Sequence, residues 1–131
     1  MARLLFYWHE YQIYADYWQV KYNQQEAIKI CNKLNRHFKI GARFYFTTNK
    51  IGYASYNGFI ISLPKKDIAL AMICHELGHC LSVKKYGYNK GKGHNKRLAK
   101  TNKIIFRYAT KFLSIEALLR INNQKLLEFI K

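Results

Sequence analysis

Two histidines four residues apart place the strongest constraint on this chain, because they bracket a glutamate in the order His75-Glu76-Leu77-Gly78-His79. Residues i and i+4 of an α-helix lie on one face, so both imidazoles can reach a single metal ion. Glu76 then lies beside the open coordination position, where a metal-bound water would be. The pattern is typical of zinc-dependent hydrolases and requires a helix at this point in the chain.

The residues around this motif predict a long central helix from Ile68 to about Tyr86. Residues 68–74 are apolar on every side of a helix, as in helices that the rest of a fold buries. Asp67 can cap the first turn, and Gly87 can end the last one. The motif is therefore expected in the middle of the core.

The preceding part of the chain predicts two helices and a small sheet. Residues 4–20 are aromatic and are predicted as a helix. A second helix is predicted at residues 23–38, where Asn23 and Glu26 form an N-cap pair before an apolar stripe, and Gly41 marks its end. Three β-favouring runs then predict an antiparallel meander with an Asn57-Gly58 turn and a stop at Pro64; they are residues 44–48, 51–56 and 59–63.

The C-terminal part begins with a loop rich in glycine and lysine at residues 87–93. Two further helices are predicted, at residues 95–112 and from Ser114 onwards. The predicted fold class is thus α+β, with an N-terminal helix, a three-stranded antiparallel meander, a central metal-binding helix and two C-terminal helices. At 131 residues, the chain is expected to form a single domain.

Composition indicates a folded chain. Half of the residues are apolar, with eleven Tyr and eight Phe, which excludes a disordered chain. No apolar run approaches the roughly 18 residues of a membrane helix, and His9 and Glu10 interrupt the apolar opening before it could form a signal peptide. The three cysteines, Cys31, Cys74 and Cys80, are expected to be reduced and buried. These features predict a cytoplasmic protein without a membrane partner.

A catalytic zinc site needs three protein ligands and one open position, so a third ligand must come from outside the motif. His94 lies fifteen residues after His79, across the glycine-rich loop, and ligand chemistry and reach favour it. A carboxylate such as Glu116 or Glu128 is the alternative. We therefore expect one zinc ion, held by His75, His79 and His94.

At this point the chain resembles a known family. A strand ending in Ile61-Ser62-Leu63-Pro64, the helix with residues 75–79 and the segment Gly93-His94-Asn95 together are similar to the SprT/Spartan-like zinc metalloprotease domain. The resemblance covers about residues 23–110 and implies a small zincin-like fold.

Some positions depart from the family's pattern. Asn95 replaces the small glycine that is usual after the third ligand, and Leu98 stands where an aromatic residue is common. No cluster of Cys or His follows His94, so the C-terminal zinc ribbon of some members is not expected.

The resemblance implies hydrolysis of peptide bonds, with Glu76 as the general base for a zinc-bound water. An oxyanion partner is also needed, and Tyr86 and Tyr88 are the candidates by proximity in sequence. Because proteases of this family act on proteins bound or crosslinked to DNA, the expected substrate is a protein associated with nucleic acid. A small cytosolic or phage-type metalloprotease fits these expectations.

The charge of the chain points to the same partner. There are 23 Lys and Arg against seven Asp and Glu, giving a net charge of +16. On the predicted helix at residues 95–112, one face is cationic within an arc of about 80° and the opposite face is apolar. We define this basic stripe as Lys96, Lys100, Lys103, Arg107 and Lys111. Charges of one sign in a row predict contacts with the phosphates of nucleic acid, without reading of bases.

Two other interpretations are open. A repressor-cleaving or anti-restriction-type zincin would carry the same motif, and a Glu as the third ligand would favour it. Alternatively, the chain is a non-catalytic basic nucleic-acid-binding protein in which the metal is structural or absent.

Overall fold

The computed structural model describes residues 15–55 and 59–110, and the fold of this part is α+β. A 3₁₀ turn at Ala15–Trp18 precedes the other elements, which in chain order are β1 (Lys21–Tyr22), α1 (Gln24–Phe38), β2 (Arg43–Thr47), β3 (Tyr53–Ser55), β4 (Ile60–Pro64), β5 (Ile68–Ala69), α2 (Leu70–Tyr86), α3 (Tyr88–Gly91) and α4 (Lys96–Thr110). Within the described residues, no helix is both long enough and apolar enough to cross a membrane.

Several predicted features lie outside the described residues. They are most of the helix at residues 4–20, the Asn57-Gly58 turn, the helix from Ser114, and the residues Lys111, Phe112, Glu116 and Glu128. Where the first of these helices overlaps the described part, residues 15–18 form a 3₁₀ turn and not an α-helix.

Helix α1 begins as the sequence predicts. Asn23 Oδ1 accepts a hydrogen bond from the Glu26 N–H at 2.8 Å, and Glu26 Oε1 accepts one from the Asn23 N–H at 3.1 Å. The predicted last residue, Phe38, is confirmed, but the left-handed residue that ends the helix is Lys39, with φ of 52°, and not Gly41. The Asn35 amide explains the early turn, because it makes two hydrogen bonds to the backbone of Ala42 and draws the chain back onto the helix.

The three predicted strands are present, but the antiparallel meander is wrong. The strand order is β2-β4-β3, with β2 parallel and β3 antiparallel to β4. Ile61 and Leu63 of β4 are fully buried. This apolar strand lies at the centre of the sheet, where it pairs with a neighbouring strand on each side. The predicted antiparallel pairing of β3 with β4 is confirmed, whereas the partner of β2 is decided by tertiary packing.

The start of the metal helix also differs from the prediction. Ile68 and Ala69 form β5, which pairs antiparallel with β1, so α2 begins only at Leu70. Ala69 occupies the N-cap position without a side-chain cap, and the Leu70 N–H donates instead to the Val20 carbonyl at 2.9 Å. Asp67, predicted as the cap, lies before the ladder with φ of 51°. The predicted end of the helix at Gly87 is confirmed.

Helix α2 is buried on nearly all sides, as predicted, and its closest neighbour is α4. A Cβ atom added at Gly78 would overlap Oδ1 of Asn102 and lie 2.8 Å from its Cγ, so glycine allows α4 to approach. Because glycine in mid-helix costs about 1 kcal/mol relative to alanine, the sequence predicts close packing at Gly78, with a strand as the neighbour. Close packing is present, but the neighbour is the helix α4. Gly91 of α3 is equally constrained, because a Cβ there would lie 2.7 Å from Cα of Val83.

The three cysteines are free and buried, as predicted. Burial raises the pKa of the Cys31 thiol to about 12, well above its ordinary value of 9.0. Such a thiol stays protonated at neutral pH, so it acts as a small apolar side chain of the core.

The contact between Gly78 and Asn102 yields a stability prediction. Gly78→Ala gains about 1 kcal/mol of helix propensity, but the overlap with Asn102 costs about 1–3 kcal/mol. We expect a net loss of up to about 2 kcal/mol in the free energy of unfolding, measured by urea denaturation. In an Asn102→Ala background the same change should be neutral or stabilising. An equal loss in both backgrounds would show that this contact does not limit the approach of the helices.

Candidate metal centre

The two histidines of the motif lie together on the buried face of α2. Their Nε2 atoms are 3.1 Å apart, and only 5% of His75 and 7% of His79 is exposed. The rings meet edge to face, with centroids 4.7 Å apart. The i, i+4 spacing therefore brings both imidazoles to one point, as the sequence predicts.

His94 completes the group from a different part of the chain. Its ring centroid lies 5.3 Å from that of His75 and 4.7 Å from that of His79. One ring nitrogen from each of the three histidines lies within 4.8 Å of the other two. The predicted choice of His94 as a potential third ligand is thus consistent with the geometry, and the three residues can bind one metal ion.

The segment between α2 and α4, predicted as a loop, contains a short helical turn. Gly87 ends α2 with φ of 82°, and residues 88–91 form the single turn α3. Gly91 then lies against the backbone of α2, as described above. The chain is thereby returned towards the helix face that carries His79, which explains how His94 reaches it.

Asn95 fixes the other side of His94. Its Oδ1 accepts hydrogen bonds from the N–H groups of Arg97 at 3.0 Å and Leu98 at 3.1 Å, and its Nδ2 donates to the Lys92 carbonyl at 3.0 Å. Asn95 is therefore the N-cap of α4. The residue that departs from the family's glycine has a structural role, because it anchors the position immediately after His94.

The separation of the His75 and His79 nitrogens suits a zinc ion. Zinc binds imidazole nitrogen at about 2.0–2.1 Å, so two ligands of a tetrahedral ion lie about 3.4 Å apart. The observed 3.1 Å between the nitrogens of His75 and His79 is close to this value. The donor set of three imidazoles also suits copper, iron or nickel, so the geometry itself identifies a metal site and not a particular metal.

Glu76 directly follows His75 in α2 and is only 7% exposed. The loop between β2 and β3 packs closely over it, because a Cβ atom at Gly52 would lie 3.2 Å from Cγ of Glu76 and 2.8 Å from Cγ of Met72. Sequence reasoning missed Gly52, although a glycine inside a β-favouring run is a signal of close backbone approach. Because residue 52 has no side chain, the β2–β3 loop can pack directly against the Glu76 side chain of α2.

Cys80 follows Glu76 by one helical turn. Burial, and next the negative charge of Glu76, raise the pKa of its thiol from 9.0 to about 12. Without a metal, this thiol therefore stays protonated at neutral pH.

Of the two tyrosines predicted as oxyanion partners, Tyr86 is the last residue of α2 and Tyr88 is the first residue of α3. Tyr86 is seven residues after His79, or about 10 Å along the helix axis. Its ring has the Arg97 guanidinium 5.7 Å away, and the exposed ring of Tyr88 has the Lys92 ammonium 4.9 Å away. Both rings face cations, and the catalytic role of either tyrosine stays a prediction.

The basic stripe is exposed along the described part of α4. Its members Lys96, Lys100, Lys103 and Arg107 face solvent. On the opposite side, Leu98, Thr101 and Ile105 are buried, and Tyr108 stacks on His37 with ring centroids 3.5 Å apart. The predicted separation of a cationic and a packed face is confirmed, and Lys84, Lys85, Lys90 and Lys92 are also exposed nearby in the chain.

Comparison with protein-family models, curated proteins and solved structures finds no match to this chain. The interpretation of the site therefore rests on its own residues and geometry.

The geometry predicts the metal content of the protein. The parent should bind one zinc ion per chain, and His94→Ala should lose most of it because two ligands hold zinc poorly. His37→Ala is the matched control, since this histidine lies on α1 outside the cluster. Elemental analysis of the purified proteins measures the stoichiometry, and addition of zinc should raise the thermal unfolding temperature of the parent and the control. Zinc retained by His94→Ala would instead indicate a carboxylate ligand such as Glu116.

Proposed function

We propose that this protein is a zinc metallopeptidase. The observation that carries the proposal is the convergence of three histidine nitrogens within 4.8 Å, beside a buried glutamate on the same helix. Three histidines with an open position are a typical catalytic zinc site, while structural zinc usually has four protein ligands. Within the described residues, His75, His79 and His94 form the metal-binding group that the structure identifies.

A zinc ion here would supply a Lewis acid that polarises a carbonyl and lowers the pKa of water towards 7. His75 and His79 would hold it from the regular helix, and His94 from the segment before α4. Glu76 is one residue from His75 and is held in place by the β2–β3 loop. Its carboxylate accepts the proton of the attacking water and returns it to the leaving amine.

The resemblance to the SprT/Spartan-like domain remains part of this proposal. It adds a class of substrate, namely proteins associated with nucleic acid. The ordered segment with His94 favours this interpretation over a zincin with a glutamate as third ligand. A cytoplasmic location is proposed with it.

Replacement of the proposed general base tests the chemistry directly. Glu76→Gln keeps the shape of the side chain but cannot accept a proton, so we expect hydrolysis of an unfolded protein such as casein to fall by at least about 100-fold. Zinc content and the thermal unfolding temperature should remain near those of the parent. Glu26→Gln is the control, because glutamine also serves at this position of a capping box. Full activity in Glu76→Gln would exclude the proposed mechanism.

A second function, nucleic-acid binding through the basic stripe, has separate support. The stripe's described members are exposed in a row, and none of the described residues between Leu77 and Thr110 is acidic. Lysine and arginine in this arrangement neutralise phosphates and release counterions. Such binding would bring the peptidase to proteins on nucleic acid.

The dependence of affinity on salt tests this second function. Removal of two charges in Lys100→Gln/Lys103→Gln should reduce the slope of log affinity against log salt by up to about 1.8, or about 0.9 per lost phosphate contact. Titration of a labelled duplex DNA at several salt concentrations measures the slope. Lys21→Gln/Lys29→Gln removes the same charge from another surface and should change it less. Equal changes in both variants would mean that the stripe has no special role.

A further inference from the structure

The outer face of the three-stranded sheet carries two exposed tyrosines in one row. Tyr45 of β2 and Tyr53 of β3 are both paired in register with Ser62 of the central strand. Directly paired residues point to the same side of a sheet, so the three side chains share a face. Tyr45 is 52% exposed and Tyr53 is 67% exposed, while Ile61 and Leu63 on the opposite face are fully buried.

The two tyrosines are separated by a gap over Ser62. Neighbouring strands lie about 4.8 Å apart, so two spacings place the tyrosine backbones about 10 Å apart. Ser62, which lies between them, is too small to fill the space between the two rings. Stacked aromatic pairs have centroids about 4.5–7 Å apart, so two such contacts span roughly 9–14 Å. A planar aromatic group therefore fits against or between these rings.

Cations flank the aromatic row on both sides along the strand direction. Arg43 is exposed at the start of β2, and its register places it on the same face as the tyrosines. Lys65 and Lys66 are exposed just after β4 ends, and Lys50 is exposed in the β2–β3 loop. Because β2 and β4 are parallel, these lysines lie at the end opposite Arg43. Asp67 is the acidic residue that follows this group, so the ends remain cationic overall.

We propose that this sheet face, defined by Tyr45, Ser62, Tyr53 and Arg43, binds single-stranded nucleic acid. Aromatic side chains on a sheet, combined with a cationic path for phosphates, are the elements of sequence-tolerant recognition of single strands. Bases stack on Tyr45 and Tyr53, and the flanking phosphates contact Arg43 at one end and the lysines at the other. A duplex does not offer unstacked base faces, so the surface selects single strands. The face is distinct from the basic stripe, which contacts phosphates alone.

The test uses a labelled oligothymidylate and an abasic oligonucleotide of the same length. In fluorescence anisotropy, the parent should bind the oligothymidylate more tightly than the abasic strand. Tyr45→Ala/Tyr53→Ala should weaken oligothymidylate binding by at least about tenfold. Its affinity for the abasic strand should stay within about twofold, because the phosphate contacts remain.

Two control proteins separate stacking from a damaged fold. Tyr45→Phe/Tyr53→Phe keeps both rings and should bind like the parent, and Ile28→Ala removes an exposed apolar side chain from α1 and should have no effect. Circular dichroism and thermal unfolding should show that all variants are folded.

The inference is overturned if the parent binds both strands equally, or if the double alanine variant binds oligothymidylate like the parent. The first result would assign binding to charge alone, and the second would leave the tyrosines for a protein partner. Neither result depends on the metal or on peptidase activity, so failure here is distinguishable from failure of the proposed function.

Discussion

The burial of α2 is the constraint on which the rest of the structure depends. This helix carries His75, Glu76 and His79 in the interior, where polar side chains are costly unless they have partners. Neighbouring elements must therefore cover the helix and also supply polar groups to it. The contact with α4 at Gly78, the β2–β3 loop at Gly52 and the turn at Gly91 all bring backbone unusually close to α2. The contacts that pack α2 into the core are therefore also the contacts that bring the site together.

The metal centre combines two kinds of local structure. His75 and His79 come from a regular helix, whose spacing fixes their relative positions without further support. His94 comes from an irregular segment, and its position depends on the end of α2, the single turn α3 and the cap at Asn95. The position of His94 is harder to predict from sequence, because the end of α2, the turn α3 and the cap at Asn95 each change the direction of the chain. The ordered hydrogen bonds of Asn95 are thus as important to the site as the motif itself.

The features that could be predicted from sequence are those decided by near neighbours. The capping box at Asn23, the β3–β4 hairpin, the helical pair His75 and His79, and the two faces of α4 all depend on residues a few positions apart. The errors arise where a distant segment decides. Ile68 and Ala69 pair with β1 and do not form the first turn of α2. β2 pairs with β4 in parallel. Gly78 packs against a helix, because Asn102 of α4 contacts it. A sequence pattern describes a single strand or helix, whereas strand pairing and helix packing depend on contacts between distant elements.

The cap at Asn95 also affects how metal binding relates to folding. In small zinc domains the ligands are unordered without the ion, and binding free energy is spent on folding. Here a core of buried apolar residues surrounds α2, and Asn95 holds the residue next to His94 by hydrogen bonds that do not involve a metal. The ligand set is preorganised, so little chain entropy opposes the binding of an ion. A metal ion bound by these histidines would consequently exchange with the folded molecule, and a chelator would remove the ion and leave the fold in place.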